Sequence, residues 1–512
     1  MPSSAPSPRD HGTQLVPAAH ARRTWMDVTG TILGHPGRLS PLGASVLRRA
    51  LDHFNRVALR VDRPATDPRN LVGVFDGRAW LNLSALHGYL SVQSISRWVG
   101  EVDPFLAGRL ESADLSASDD LREAALLPGL MMQGARTLAA AVAGQLQPVR
   151  SAAQARAEWA AWRATIDRRA ARPLDHRGLL ARVDHLLAPT AALVVHELMP
   201  RIALATTAAR ALREPFAHRT DCQPLLDALD RGITGHRVTD FLQAAAEGPD
   251  HRLLDRFGHR ALRALDVVEP RFADAPDTLV EFCAPLPPAD HLSAACTRAR
   301  QARKLAVATL ASELTRPLDR ARFLAAAEVV ESLSGLSDWP LDALLVCLHA
   351  IRPTLVAIAR DAEAAGRLDP GTWRSLDLAG LDALHRGHTP AHTSAVPLPG
   401  RSVHPPGPAR SAGLVSGVAS GVLAIPGAPH QPDNPVWVLD ALTFAHAPLI
   451  TSSAAAVVTT SHGHGPAALV AATLGRPCVY VPADRLPAPG TRVTVDGSRG
   501  TVTADPSPTD AR

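Results

Sequence analysis

The sequence predicts a multidomain α + α/β protein, in which a long, mostly helical body precedes a small domain of the β/β/α type. Two observations support this fold class. Alanine-rich runs with apolar residues at helical spacing fill most of residues 25–387. Residues 413–503 instead alternate short apolar strands with one helix. A length of 512 residues is typical of a chain with more than one domain.

The expected domain boundaries follow shifts in composition along the chain. Residues 1–24 are rich in Pro, Ser and Arg, and we expect a disordered leader there. Residues 25–387 form the body. Residues 388–412 form a Pro-rich linker, which we expect to be a semi-rigid arm because prolines favour extended conformations. Residues 413–503 form the small domain, and residues 504–512 form a polar tail.

Apolar periodicity predicts the helices of the body. Ser151 and Ser293 stand at or near the starts of two runs, where serine can cap free backbone N–H groups. Residues 71–83 are strand-like instead, and they predict a hairpin that turns at Asp76-Gly77. The predicted helical runs are residues 122–147 (interrupted at Pro128), 152–169, 179–198, 295–314 and 320–333.

The small domain has one predicted helix, residues 467–474. Pro466 suits its first position, where a missing N–H costs nothing, and Gly475 suits the position after its last residue. The predicted strands are residues 413–425, 436–439, 454–459 and 478–481, followed by a hairpin at 491–503 around Asp496-Gly497.

Composition argues against several classes of function. Lys304 is the single lysine among 53 basic residues and no GxxxxGK[ST] loop is present, so we do not expect an ATP-binding domain in this chain. A net charge of +4 is too weak to predict nucleic-acid binding. We find neither a signal peptide nor a membrane span, so the expected location is cytoplasmic. The five cysteines are scattered without a C-x-x-C motif, which predicts neither disulfides nor a metal site.

The small domain contains three short sequence motifs, which follow one another in a fixed order. Residues 416–421 read SGVASG, residues 467–477 read AALVAATLGRP, and residues 493–497 read VTVDG, with Gly500 and Val502 following. This order resembles the phosphohistidine swivelling domain of phosphoenolpyruvate-utilising enzymes, which include pyruvate phosphate dikinase, phosphoenolpyruvate synthase and rifampin phosphotransferase. The resemblance implies a domain that carries a phosphoryl group on a histidine between two remote sites.

The body resembles the substrate-binding part of the rifampin phosphotransferase type. The family's N-terminal ATP-grasp domain has no counterpart here, which agrees with the single lysine. The motifs that carry the likeness are GRLSPL at 37–42, WLNLSAL at 80–86, FGHR at 257–260 with PRF at 270–272, and GRLD at 366–369 with LDL at 376–378.

The resemblance implies a phosphorylated histidine at the start of the small domain's helix, but this sequence has no histidine at the directly matching position. Without a gap, the family histidine falls on Pro466; a two-residue insertion in the preceding loop brings His464 to the helix start. His464 is therefore the expected phospho-acceptor, with His462 beside it. The alternative is that both are turn residues of a site that has lost its chemistry. The expected phosphate-binding loop comprises Ser461, Gly463 and Gly465.

On the substrate side, the resemblance implies roles for His259 and Arg260, which we expect to contact an anionic or polar ligand. A structural His–Arg pair is the alternative. The family glutamate five residues after this histidine corresponds to Ala264, so a candidate general base is missing. Asn82 is a third expected substrate-binding residue, unless its amide only closes the end of a strand.

Two hypotheses of function follow. In the first, the small domain transfers a phosphoryl group through His464 to a small organic substrate in the body, and a separate ATP-grasp protein uses ATP and Mg²⁺ to charge that histidine. In the second, the chain is a non-catalytic relative that binds a ligand or a partner. Neither hypothesis involves a permanently bound cofactor, a nucleic acid or a membrane. A dinucleotide loop at 463–468 is disfavoured because the segment is too short for a Rossmann domain.

Overall fold

The computed structural model describes residues 23–29, 33, 35, 37–87, 127–174, 178–390, 396–398, 401–403, 411–427, 432–440, 442–452, 454–460 and 465–505. About 59% of the chain is helical, and the described strands form two sheets. At this level the architecture agrees with the prediction of a mostly helical body followed by a small domain that contains strands.

A four-stranded sheet near the start of the body has the order β2-β3-β1-β4. The predicted hairpin is confirmed, because β2 and β3 are antiparallel and Asp76 and Gly77 between them have φ angles of 49° and 70°. Two successive left-handed residues match the twist of a tight hairpin. The strands are β1 (Thr24–Asp27), β2 (Val72–Phe75), β3 (Arg78–Asn82) and β4 (Arg401–Val403).

Strand β4 belongs to the stretch that we expected to be a semi-rigid arm. It pairs in parallel with β1, so these three residues are part of the body's sheet. The physical reason is that β1 has a free edge, whose unpaired N–H and C=O groups accept another strand. β1 in turn begins at Thr24, the last residue of the expected leader.

Helices form the rest of the described body. The five predicted helical runs are confirmed within the described residues, with shifted ends, whereas the longer helices α1, α6, α8 and α13 lie outside every predicted run. A π-helical segment, Leu193–Leu198, continues α5 directly. The helices are α1 (Pro41–Phe54), α2 (Leu83–His87), α3 (Leu127–Leu146), α4 (Pro148–Ala170), α5 (Gly178–Ala192), α6 (Met199–Arg213), α7 (Gln223–Ala228), α8 (Arg237–Glu247), α9 (His251–Phe257), α10 (Pro276–Cys283), α11 (Ala289–Glu313), α12 (Pro317–Leu333), α13 (Trp339–Ala364) and α14 (Leu378–His385).

The C-terminal domain is built on a seven-stranded mixed sheet with the order β11-β10-β6-β7-β8-β9-β5. Strands β6 to β9 run parallel to one another, and β5, β10 and β11 pair antiparallel with their neighbours. The elements are β5 (Ala412–Val415), β6 (Val418–Ala424), β7 (Pro435–Leu439), α15 (Ala447–Ser452), β8 (Ala456–Thr459), α16 (Pro466–Leu474), β9 (Cys478–Tyr480), β10 (Arg492–Asp496) and β11 (Thr501–Ala504).

The single strand predicted at residues 413–425 is two strands. β5 pairs with β9 at one edge of the sheet, whereas β6 pairs with β7 and β10 further in. Gly417 lies between them with a φ of 121°, a backbone conformation that breaks an extended strand and that glycine adopts without strain. The sequence showed an apolar run here but not the change of partner.

The C-terminal domain shares its main apolar core with the body. One continuous cluster of buried side chains includes body residues together with Phe444, Val457 and Ala467 of the C-terminal domain. The next residue along β8, Val458, belongs to a second cluster with Val493. Because successive strand residues point to opposite faces, one face of the sheet packs towards the body and the other has its own core.

Two hydrogen bonds also cross between these parts. The backbone N–H of Gly232 donates to the carbonyl oxygen of Thr473 at 2.9 Å. The hydroxyl of Ser498 donates to Asp227 Oδ2 at 2.7 Å. Both join the segment around α7 to the C-terminal domain.

Two helical stretches, Gly178–Phe216 and Pro317–Ala364, are long and apolar enough to span a membrane by length and composition. Within their most apolar windows, 50% and 56% of the residues are buried inside the protein. About half of each window therefore packs against other parts of the protein.

Candidate functional site

Asp342 lies at the centre of a buried charged cluster. Its side chain is 0% exposed. The carboxylate accepts a hydrogen bond from Arg237 Nε at 3.0 Å and one from His259 Nε2 at 3.1 Å. Arg260 also donates to it, through Nη2. One carboxylate therefore holds three donors from distant parts of the sequence in one place.

Three segments of the body bring this cluster together. Arg237 is the first residue of α8, and Asp342 lies in the first turn of α13. His259 and Arg260 follow α9, in a turn held by a backbone bond from Arg260 N–H to Phe257 O at 2.9 Å. A second backbone bond, from Phe272 N–H to Arg260 O at 2.8 Å, closes the loop.

The protonation states follow from burial and mutual contact. Burial lowers the pKa of His259 to about 4, although Asp342 acts in the opposite direction. Burial alone would raise the pKa of the Asp342 carboxyl, but Arg260, His259 and Arg237 hold that pKa well below its usual range. Near neutral pH, a neutral His259 therefore donates its Nε2 proton to an ionised Asp342.

Asp338 stands one helical turn before Asp342 and caps another helix. Its two carboxylate oxygens accept the backbone N–H groups of Arg237 at 3.0 Å and Val238 at 2.8 Å, at the start of α8. A negative charge at a helix N-terminus is favourable because the helix dipole is positive there. Burial nevertheless raises the pKa of the Asp338 carboxyl, the largest effect on this group.

Phe444 inserts the C-terminal domain into an aromatic cluster of the body. Its ring centroid lies 5.0 Å from that of Phe282 and 5.4 Å from that of Phe241. The guanidinium carbon of Arg260 lies 5.3 Å from the centre of the Phe444 ring, a cation–π distance. The C-terminal domain therefore contacts the charged cluster directly.

A small cavity of about 30 Å³ lies where the two parts meet. Its lining includes Arg260, Asp338 and Asp342 from the body, and Phe444 and Pro466 from the C-terminal domain. Most of the other lining residues are aliphatic. The volume suits about two water molecules rather than an organic substrate, so the docked conformation as described does not admit a drug-sized ligand.

Arg260 is the polar side chain of the cavity with an unused donor. The residue is 5% exposed, and its Nε has no acceptor among the described residues. A buried donor without an acceptor is costly to the fold. Arginine is well suited to phosphate and carboxylate oxygens.

Helix α16 presents its N-terminus to the same cavity. Gly465 is the residue before the helix and Pro466 is its first residue, as the sequence predicted. Gly475 ends the helix with a φ of 67°, also as predicted. Pro466, the position on which the family histidine falls without a gap, is therefore in the cavity wall.

The expected loop residues Ser461, His462, Gly463 and His464 lie outside the described residues, whereas Gly465 is described and buried. On the body side, Arg260 lines the cavity. His259 does not line it, but is hydrogen-bonded to Asp342, which does. Ala264 also lines the cavity, so the position of the missing glutamate faces it.

Asn82 does not join this cavity; its amide closes the end of strand β3. Asn82 Nδ2 donates to Pro68 O at 3.0 Å and to Asn70 O at 3.1 Å. Asn82 Oδ1 accepts the backbone N–H of Ala85 at 3.0 Å. All its polar atoms are used by the neighbouring backbone, so it serves the local fold rather than substrate binding.

Sequence reasoning missed Asp338, Asp342, Arg237 and Phe444. The two aspartates are four residues apart at a helix start, a spacing that puts them on one face. That pattern was visible, but nothing in the sequence connects it with His259, about eighty residues earlier. Phe444 carried no signal, because one aromatic residue in an apolar segment has no distinguishing pattern.

Among the described residues, no group of three or more His, Cys, Asp or Glu side chains is arranged to hold a metal ion. No protein-family model matches the chain, and a search of curated proteins finds no significant match.

Proposed function

We propose that this protein is a phosphotransferase of the phosphoenolpyruvate-utilising type, whose C-terminal domain carries a phosphoryl group on His464 to a substrate held by the helical body. One observation carries the proposal: Pro466, the first residue of α16, and the basic side chain of Arg260 line the same cavity between the two parts. The sequence motifs of the swivelling domain support the same assignment.

The electrostatics of this cavity suit a phosphoryl group. The N-terminus of α16 contributes a positive dipole end, and Arg260 contributes a positive charge from the body. His464 precedes Pro466, the first residue of α16, by two residues in the sequence. Phosphoryl transfer depends mainly on positioning and on charge stabilisation of this kind.

The proposed reaction has two steps. In the first, a separate ATP-grasp protein with Mg²⁺ transfers a phosphoryl group of ATP to an unprotonated imidazole nitrogen of His464; a P–N bond forms as the P–O bond to the nucleotide breaks, and the nucleotide product leaves. In the second, the P–N bond breaks while a substrate hydroxyl oxygen forms a P–O bond. The proton of that hydroxyl passes to Asp338, a carboxylate of the cavity wall whose pKa is raised by burial.

The proposed substrate is a small organic molecule with a hydroxyl group and an apolar body. The aliphatic lining favours an apolar ligand, and the small volume means that the C-terminal domain has to withdraw before such a ligand enters. The proposed setting is the cytoplasm, where the ATP-grasp partner has access to ATP. Nucleic acids and membranes have no part in the proposal.

A second candidate is a non-catalytic relative that binds a ligand or a partner protein. Two observations favour it. Pro466 occupies the helix position of the family histidine and has no reactive group. His259 and Arg260 already bind Asp342, as a purely structural cluster would.

Phosphorylation in vitro distinguishes the two candidates. The full chain is incubated with radiolabelled ATP, Mg²⁺ and a candidate ATP-grasp protein, and acid-labile phosphate on the chain is counted. We expect labelling of the wild type and of His462→Ala, but none of His464→Ala. Equal labelling of His464→Ala, or no label on the wild type with an ATP-grasp protein that hydrolyses ATP, contradicts the proposal and supports the non-catalytic relative.

A further inference from the structure

The connection between the body and the C-terminal domain is fastened to the body before it reaches the domain. β4 pairs in parallel with β1, and the register places Thr24 opposite Arg401 and Met26 opposite Val403. A second attachment lies just before β4, where the backbone N–H of Asp76 donates to Val396 O at 2.8 Å.

Side chains reinforce this attachment. Val396 and Leu398 are half-buried, while Pro397 between them is exposed. The two half-buried side chains pack against an aromatic cluster of the N-terminal sheet, whose members are Trp25, Phe75 and Trp80.

We infer that residues 396–398 and 401–403 form a releasable strap that sets how far the C-terminal domain can move from the cavity. The inference rests on the proposed function only in requiring that a phosphoryl-carrying domain leaves the body. The attachment is short: three paired residues and two half-buried side chains. Segments with so few buried contacts open well below the free energy of global unfolding.

The number of residues in the connection sets how far the C-terminal domain can move once the strap is released. With the strap fastened, only residues 404–411 connect β4 to β5, and eight residues extend at most about 30 Å. Without the strap, the connection comprises residues 391–411, and a chain of twenty-one residues can extend at most about 70 Å. The fastened strap therefore keeps the domain near the cavity, and the released one lets it reach a distant partner.

A shorter tether also favours the docked state. The effective concentration of a tethered group falls roughly as the −3/2 power of linker length, so release from eight to twenty-one residues lowers it about four-fold. The fraction of undocked molecules should rise by the same factor.

The backbone N–H of Gly232 reports undocking, because its acceptor is the carbonyl of Thr473 on the other side of the interface. The test compares hydrogen exchange at Gly232 in the full-length chain carrying Leu398→Asp with that in the chain carrying Pro397→Asp. Both variants add the same charge, but only Leu398 packs on the aromatic cluster. We expect Gly232 to exchange about four-fold faster in Leu398→Asp, together with loss of protection in β4, and no change in Pro397→Asp.

A second variant covers the case in which Leu398→Asp leaves the strap in place. In it, residues 396–403 are all replaced by Gly and Ser, which keeps the chain length but removes the side chains that fasten the strap. We expect the same four-fold rise at Gly232. An unchanged Gly232 rate in this variant overturns the inference. The readout involves neither ATP nor phosphate, so its failure is separate from a failure of His464 labelling.

Discussion

The two walls of the cavity differ in chemistry. The body wall carries a buried carboxylate, Asp342, with two guanidinium groups and an imidazole bound to it. The wall from the C-terminal domain is apolar in its described part, with the Phe444 ring and Pro466. The charged groups that can hold a ligand therefore belong to the body, and the C-terminal domain docks mainly through apolar contact.

The largest expected loss of stability follows from a substitution in the charged wall of the body. Asp342→Asn leaves two guanidinium groups and His259 without their shared carboxylate, and removal of one partner from a buried ion pair costs about 3–5 kcal/mol. The free energy of unfolding, measured in urea, should fall by that amount. Asp184→Asn is the control, because Asp184 pairs with Arg49 and His53 at a partly exposed site and should cost about 0–1 kcal/mol. Equal costs contradict a central role for Asp342.

The next largest loss of stability is expected from a substitution in the apolar wall of the C-terminal domain. Phe444→Ala removes a buried ring from the aromatic cluster, and such a truncation costs about 3 kcal/mol or more in free energy of unfolding. Because the ring joins the two parts, Gly232 should also exchange faster. The matched control is Val418→Ala, at a position of the same domain that is 62% exposed. A cost for Phe444→Ala as small as that of the control shows that the aromatic contact does not hold the interface.

A third prediction concerns pH. Unfolded histidine binds a proton below about pH 6.5, whereas folded His259 does so only below about pH 4. The unfolded state binds more protons in this window, so stability falls as the pH falls, by about 2 kcal/mol between pH 7 and 4.5 from this group. In His259→Gln, which keeps a donor but does not titrate, the fall should be smaller by that amount. Identical pH profiles for the two proteins refute a depressed pKa at His259.

The smallest effect is at the edge of the interface. Ser498→Ala removes the hydroxyl that donates to Asp227 and also accepts the backbone N–H of Gly417, and each such hydrogen bond is worth about 1 kcal/mol in free energy of unfolding. Ser420→Ala in the same domain loses only an exposed bond with Thr494 and serves as the comparison. If the two changes cost the same, the Ser498 bond adds nothing to docking.

The sequence was informative where local rules decide the structure. Residues 466–475 combine a proline start, an apolar helix and a glycine stop, and α16 follows them. The hairpin at Asp76-Gly77 follows from turn chemistry in the same way. These features depend on neighbours in sequence, which is why they could be predicted.

Contacts between segments that are distant in the sequence could not be predicted from it. Nothing local to residues 401–403 indicates that they pair with β1, about 380 residues earlier. Asp342 is equally ordinary in sequence, and it becomes the centre of the site only when α8, the turn after α9 and α13 meet. The resemblance directed attention to His259 and Arg260, but packing decided that only Arg260 lines the cavity.

The location of the phosphate after the labelling reaction tests the central claim most directly. Peptides of the labelled chain are prepared under alkaline conditions, which preserve phosphohistidine, and the modified residue is identified by tandem mass spectrometry. The account predicts phosphate on the imidazole of His464, two residues before the helix start that faces Arg260. Phosphate on any other residue, or a chain that stays unmodified beside an active ATP-grasp partner, contradicts it.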